Sequence, residues 1–369
     1  MLTLSVPLLT MSNSITVFVP SFSFGGVQML ALKLVEGFIK QGRNVSIAVA
    51  KSEGKLKSNF VNLGVEIISI EKSGIFDFRR KLNSKKRKLL LLPSYESLLI
   101  HLVLLFSTNV EKYYVFDRKI TSFLLEKKLF GMMFYIGSMF FSYFSKGYIF
   151  SYESPLKEYK NIKGFSSSID RTVIYHPVSS LFFEKNWVDS NQYEYDLLYA
   201  GRFSTEKGLM VLLGALVELK YKYNYEPIVG LLGEGPLDNE ARNFIATNNL
   251  VNVHMLGYSS DVAEFMIKSK RLILPSISEG CSGVVKEAMV VGLPAIVTNV
   301  NTDGPQEMIG HGLYGDVADE PGNSLVLAET IRRSLRRESF DYEYQQSFKS
   351  KLSIEFACTR YYEFLESGK

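Results

Sequence analysis

The chain has 369 residues, too many for one ordinary domain and enough for two at roughly 150 residues each. With 46% hydrophobic and 22% charged residues it is not a disordered polymer. Its two cysteines, Cys281 and Cys358, are too few for a disulfide framework or a structural zinc site, so a reducing compartment is expected. The start, MLTLSVPLLTMSNS, lacks the basic stretch of a secretory signal. The net charge of +4 conceals two unlike halves. Residues 1–180 carry 24 Lys and Arg against 12 Asp and Glu, a balance of +12, and residues 181–369 carry 18 against 26, a balance of −8. The basic half is therefore expected to meet an anionic surface.

The first half opens as alternating strand and helix. Residues 14–20 (SITVFVP) predict a strand that runs into a Ser/Gly turn. Val27, Leu30, Leu34 and Phe38 then recur at helical spacing, and Gly42 closes that helix. Residues 44–50 and 65–70 predict further strands, and this alternation argues for a parallel sheet with crossover helices. Between Leu89 and Phe116 the apolar runs fit a strand or a buried helix. Residues 147–151 and 172–175 predict the last strands before an irregular, aromatic stretch at 179–195, where the domain linker is placed.

Two segments of this half stand out. From Arg79 to Lys88 (RRKLNSKKRK) there are seven basic residues and no acid. The run reads either as a solvated helix face or as a contact for anionic lipid; no nucleic-acid-binding module accompanies it. From Leu129 to Phe144 (LFGMMFYIGSMFFSYF) the chain is aromatic and Met-rich but shorter than the about 20 apolar residues of a membrane span. It reads as a core helix or as a helix lying at a lipid interface.

The second half repeats the architecture. Strands are expected at 195–200, 227–232, 251–256, 272–275 and 295–298, with helices between them. Two such domains would face one another across a cleft, with ligands at the carboxyl ends of the strands. Two motifs sit at such ends. In AGRFSTEKG, Gly201 permits close backbone approach, and Arg202 and Lys207 place two cations beside a helix start, a composition suited to a diphosphate. In EGCSGVVKEAM, Glu279 and Glu287 bracket a small-residue turn. Backbone N–H groups at the following helix start suit an anionic or hydroxylated ligand, and carboxylates accept hydrogen bonds from sugar hydroxyls.

With these motifs the chain resembles the GT-B fold glycosyltransferases, most closely the family-4 retaining type of bacterial surface-polysaccharide synthesis. The resemblance rests on Gly25-Gly26-Val27, Gly201-Arg202…Lys207-Gly208, Gly233-Glu234-Gly235-Pro236 and Glu279-x7-Glu287 followed by Gly292-Leu293-Pro294. It implies an α/β fold of two facing Rossmann-like domains, an acceptor domain at 1–180 and a nucleotide-sugar domain at 181–345. A C-terminal helix at 346–369 would cross back to the first domain. It implies a catalytic set of Glu279, Arg202 and Lys207, with Glu279 on the donor sugar and the two cations on the leaving diphosphate. Glu287 would hold the ribose, Gly201 and the Ser282, Gly283, Val284 and Val285 backbone would meet sugar and phosphates, and Gly25 and Gly26 would let the first loop approach the donor.

The resemblance further implies a nucleoside-diphosphate-sugar donor with no cofactor and no metal. It implies a lipid-linked or oligosaccharide acceptor, and a cytoplasmic protein peripheral on the inner membrane face, held to anionic lipid by Arg79 to Lys88. Where many relatives carry a His in the first domain, this chain offers Asp117 and Arg118. His176, at the domain junction, is a further candidate for acceptor or sugar. His101, in an apolar run, is expected to be a packed core residue. An epimerase or phosphorylase on the same fold, or a non-catalytic nucleotide-sugar binder, is the rival reading.

Overall fold

The computed structural model describes residues 14–119, 121–122, 128–188 and 192–367. The first half forms β1 (Ser14–Ser21), β2 (Val45–Lys51), β3 (Glu66–Ser69), β4 (Arg87–Leu91), β5 (Val110–Phe116), β6 (Gly147–Phe150) and β7 (Asp170–Val173). They pair in parallel in the order β3-β2-β1-β4-β5-β6-β7. The second half forms β8 (Tyr195–Ala200), β9 (Val229–Leu232), β10 (Val253–Gly257), β11 (Ser269–Leu274), β12 (Ala295–Thr298) and β13 (Gly315–Ala318). These are parallel in the order β10-β9-β8-β11-β12-β13. Helices cover the sheet faces, which is why central strands such as β1 and β12 are apolar on both sides rather than alternating.

The ambiguous stretch from 89 to 116 resolves into β4, a helix at Tyr95–Val103, and β5. The order of each sheet reverses once, between β1 and β4 and between β8 and β11. Parallel sheets open a crevice at the carboxyl ends of such neighbours.

The chain passes between the sheets twice. After β7, Val178 and Trp187 already belong to the second core, and the Trp187 indole donates to the Ser269 carbonyl at 2.8 Å. The helix Tyr342–Ser350 still packs on the second domain, where Phe348 is buried. The helix Ile354–Ser367 packs on the first, contributing Ala357, Cys358, Tyr361 and Leu365 to the core around β1. It lies close against the helix Gly26–Lys40: a Cβ on Gly37 would stand 2.4 Å from the Cys358 sulfur.

The basic run is not one surface. The helix Ile70–Asn83 ends within it and β4 begins at Arg87. Arg79, Arg80, Lys81, Lys85 and Lys86 are exposed. Arg87 and Lys88 are buried and turned to internal work, which corrects the expectation of a continuous lipid contact from Arg79 to Lys88. Arg87 donates to Ser46 Oγ at 2.9 Å, Thr16 Oγ1 at 3.3 Å and Glu66 Oε2 at 3.2 Å. Lys88 pairs with Glu366 at 2.8 Å and donates to the Leu365 carbonyl. The exposed lysines between helix and strand also lie at the amino-terminal edge of the sheet, the end away from the crevice.

The aromatic run forms the helix Lys128–Phe141. It packs one face into the core and leaves another exposed. Phe134, Ser138 and Phe141 are buried, whereas Leu129, Met132, Met133, Ile136 and Phe140 face outward. His101 is a core residue, as expected: it stacks on Phe141 with ring centroids 4.3 Å apart, and burial holds its pKa down to about 3.

Arg87→Ala should cost about 2 kcal/mol, because it leaves the buried Thr16–Ser46 hydroxyl pair without its charged donor and a cavity in the sheet edge, while half-exposed Glu66 keeps Lys85. Arg79→Ser, on the solvated helix face, should stay within about 0.5 kcal/mol. Urea midpoints at constant slope measure both.

Candidate active site

The site begins with backbone geometry at three neighbouring strand ends. β8 runs into Gly201 and Arg202, β9 into Gly233, and β10 ends at Gly257. Gly201 N–H donates to the Leu232 carbonyl at 2.9 Å and Gly233 N–H to the Gly257 carbonyl at 2.8 Å. Gly233 has φ 143°, and a Cβ there would lie 2.0 Å from the Gly201 carbonyl oxygen, so only glycine lets these turns meet. The short turn Thr205–Lys207 is pinned in the same way. Gly208 has φ 69°, and a Cβ on it would be 1.8 Å from the Pro275 carbonyl oxygen. Ile277 N–H donates to the Glu206 carbonyl at 2.9 Å. This packing seats the turn after β8 on the loop after β11, and it brings the Lys207 ammonium onto the Glu279 carboxylate. Ser276 Oγ adds a hydrogen bond to that carboxylate at 3.3 Å.

A cavity of about 530 Å³ opens over these strand ends. Gly201, Arg202, Gly233 and Glu234 form its floor. Tyr258 and Val262 form one wall, and Val284 and Glu287 come from the helix Gly283–Val291. The first-turn N–H groups of that helix have no partners within it. Ser282 precedes it, with its hydroxyl buried and unbonded. Burial raises the Glu287 carboxyl above the usual carboxylate range, opposed by Lys33 and Lys286. Lys33, from the helix Gly26–Lys40, is itself depressed by burial and donates to the Pro177 carbonyl at 3.2 Å. No salt bridge forms at Glu287 among the described residues, so its oxygens are available to the cavity.

The first domain closes the cavity with Phe24, the residue before the glycine pair. Sequence reasoning had given this approach to Gly25 and Gly26 instead. Gly25 is extended, with φ −180°, and a Cβ on Gly26 would enter open space, so neither needs to be glycine for its own backbone. The signal for Phe24 was an aromatic residue in a Ser/Gly turn. Lys33 and Tyr258 were missed too, because nothing in their spacing marks them, and Glu234 was marked only as part of the Gly233-Glu234-Gly235-Pro236 turn, without a role of its own.

Asp117 and Arg118, at the end of β5, do reach the cleft. A Cβ on Gly280 would stand 2.9 Å from the Asp117 carbonyl oxygen and 3.7 Å from the Arg118 guanidinium. Burial raises the Asp117 carboxyl, Arg118 lowers it and Glu279 across the cleft raises it further. His176 lies between the domains with its Nε2 buried and unbonded. Burial holds it neutral, and Lys286 and Lys33 act in the same direction. His311 is exposed, 3.8 Å from Asp303.

The loop after β12 supplies a clasp between the domains. Glu307 accepts from the backbone N–H groups of Glu153 at 2.7 Å and Ser154 at 3.0 Å, the first residues of the first-domain helix Glu153–Asn161. Tyr175 donates to the same carboxylate at 3.0 Å. A carboxylate at a helix N-terminus satisfies free N–H groups and the helix dipole together.

Residues 183–351 match the model of the glycosyl transferases group 1 family. That segment is a group 1 glycosyl transferase domain. It contains every second-domain residue named above, from β8 to the helix Tyr342–Ser350. Within the curated proteins, an uncharacterized glycosyltransferase of Methanocaldococcus jannaschii is 33% identical over 40% of this chain and 40% of its own length. The capsular polysaccharide biosynthesis glycosyltransferase CapM of Staphylococcus aureus is 27% identical over 50% of this chain and 51% of its own. The chain spans about two fifths of the length of the first of these relatives. The solved structure of Anabaena HepE in complex with UDP superposes with TM-score 0.77 at 14% identity, covering 96% of this chain and 100% of that one. The lipopolysaccharide outer core galactosyltransferase WaaB gives 0.75 at 15%, covering 97% and 100%. The two facing sheets are thus the GT-B fold, with the group 1 domain as the second half.

The half-buried Glu287 carboxyl carries a signature. A carboxyl whose folded pKa lies above its unfolded value binds more protons in the folded chain, so stability falls as pH rises through the folded pKa. Glu287→Gln should therefore raise Tm at neutral pH, and the gain should vanish below the ordinary carboxylate range. Differential scanning calorimetry across pH measures it. A second expectation concerns the clasp. Glu307→Ala should speed exchange of the Glu153 and Ser154 amides by about tenfold, read by hydrogen exchange.

Proposed function

We propose that the protein transfers a sugar from a nucleoside-diphosphate sugar to a lipid-linked glycan acceptor, with retention of anomeric configuration, in surface-polysaccharide synthesis. The observation that carries this reading is the Glu287 carboxylate. It is half-buried, without an ion pair among the described residues, and faces a cavity whose floor holds Arg202 and whose neighbouring strand end holds Lys207 and Glu279. A carboxylate so placed suits a pair of ribose hydroxyls. Arg202, Lys207 and the helix N–H groups after Ser282 suit a diphosphate. The CapM name and the UDP in the HepE crystal support the same assignment, and UDP is the first nucleotide to test.

In this mechanism the bond from the anomeric carbon to the diphosphate oxygen breaks and a bond to the acceptor oxygen forms on the same face. The acceptor proton passes to the leaving diphosphate oxygen. Negative charge grows on that diphosphate, and preorganised cations and N–H groups stabilise it without a metal or other cofactor. In the free protein Lys207 is held by Glu279, so donor binding exchanges one anion for another at its ammonium, and the freed Glu279 meets the sugar. Asp117 and Arg118 face that position from the acceptor domain. Clasp closure through Glu307 completes the site. The protein works at the cytoplasmic face of a membrane, where lipid-linked acceptors are exposed.

A screen of sugar nucleotides by thermal shift should find one class that raises Tm. Glu287→Ala should remove that shift, and an undiminished shift overturns the ribose assignment. Lys207→Ala should lower kcat by roughly 100-fold while KM changes less.

A further inference from the structure

The second domain carries a groove of about 660 Å³ apart from the donor cavity. Arg332, Arg333, Arg336 and Arg337 line it, with Asp316 and Glu329. Asp316 is the second residue of β13, so the groove opens at the amino-terminal edge of the sheet, the edge opposite the donor cavity. The four arginines stand at the end of the helix Ser324–Arg336 as two pairs, 332 with 336 and 333 with 337. Residues at that spacing are neighbours on a helix face, and like charges there repel. The pair Arg333 and Arg337 has an anion between its members. Asp316, only 7% exposed, lies 3.7 Å from Arg333 and 3.5 Å from Arg337. The Arg337 guanidinium is further fixed by the carbonyls of Gly312 at 3.0 Å and Gly315 at 2.8 Å.

The pair Arg332 and Arg336 lacks such an anion. Among the described residues no carboxylate lies within ion-pair distance of either guanidinium. Glu329, the other acid of the groove, is engaged by Lys222 at 3.6 Å and by the Tyr223 hydroxyl at 3.0 Å. The Arg332 guanidinium is held over the Tyr223 ring at 4.7 Å, and its Nε is buried with no hydrogen-bond partner. We propose that Arg332 and Arg336 form a phosphate site, in which a phosphoryl group takes the place between them that Asp316 takes between Arg333 and Arg337. A guanidinium presents a planar fork of donors, and two forks match the several oxygens of a tetrahedral oxyanion better than the two of a carboxylate. Stacking on Tyr223 sets one fork in place before the ligand arrives, which lowers the cost of binding. In a half of the chain with a balance of −8, these guanidinium groups make a local positive site. The ligand reaches it without entering the cleft, so the site stands independently of the transferase reading.

The test is the thermal midpoint of the full chain in inorganic phosphate, up to about 10 mM, against sodium chloride at equal ionic strength. Phosphate should raise the midpoint above its chloride value. Arg332→Gln with Arg336→Gln should raise the phosphate concentration that gives half the shift by roughly fivefold or more. The same loss should appear in an Arg202→Gln background, where the donor cavity competes less for phosphate. Arg336→Gln alone, on an exposed side chain, serves if the double variant fails to fold by circular dichroism. At low salt without phosphate, Arg336→Gln should hold or raise the midpoint by relieving repulsion, whereas Asp316→Asn should lower it. An equal response to phosphate and chloride in the wild type overturns the proposal. So does an undiminished phosphate response in the folded variants. A low-salt midpoint that Arg336→Gln lowers as far as Asp316→Asn does would also overturn it, because Arg336 would then be a structural cation already satisfied within the fold.

Discussion

The close contact of two helices at Gly37 and Cys358 is the constraint from which the cleft follows. Each sheet has its own core, and nothing in the strand pairing relates one sheet to the other. Their relation is set where the chain crosses between them. The last helix lies so close to the helix Gly26–Lys40 that a single added carbon on Gly37 would collide with sulfur. With that contact made, the carboxyl ends of both sheets point at one another. Phe24 then reaches a cavity built by the other domain, and Glu307 finds a helix start to cap.

Charge follows the same division. The second domain is acidic overall yet places Arg202 and Lys207 at its strand ends, and it leaves the half-buried Glu287 carboxyl partly desolvated at a cost in stability. Such a cost is typical of positions retained for binding rather than for folding. The first domain spends part of its basic excess internally. Arg87 knits β1, β2 and β3 to β4 through Ser46, Thr16 and Glu66, and Lys88 ties β4 to the final helix.

Much of this was legible in the sequence. The strand-to-turn-to-helix pattern and its glycines placed the motifs at strand ends. Gly208 and Gly233 are dictated by contacts that any side chain would break, so their spacing carried strong information, whereas a Cβ on Gly201 would meet nothing nearer than the Tyr199 hydroxyl at 3.9 Å. The E-x7-E pair was legible because a small-residue turn and a helix start fix where each carboxylate goes. Other features depend on distant partners. Whether Arg87 is a surface cation or a buried one is decided by Glu66 and Ser46, on strands far from it in the chain. The roles of Phe24 and Lys33 arise only when the second domain arrives opposite them. The run at 129–144 is apolar on all sides, and periodicity alone does not separate the face that packs from the face left outside.

The final helix also ties the order of synthesis to the order of folding. Lys88 and Tyr113 both donate to the carbonyl of Leu365, which lies 277 positions after Lys88. The first domain emerges from the ribosome well before the group 1 domain, yet its neighbouring strands β4 and β5 bear an ammonium and a phenol whose acceptor is made only after that domain. Until then that side of the sheet stands open, with Leu34 and Phe38 waiting for Cys358 and Tyr361. The domain that starts first is thus completed only after the group 1 domain, and the quality of its closure reports that residues 183–351 have been translated in full.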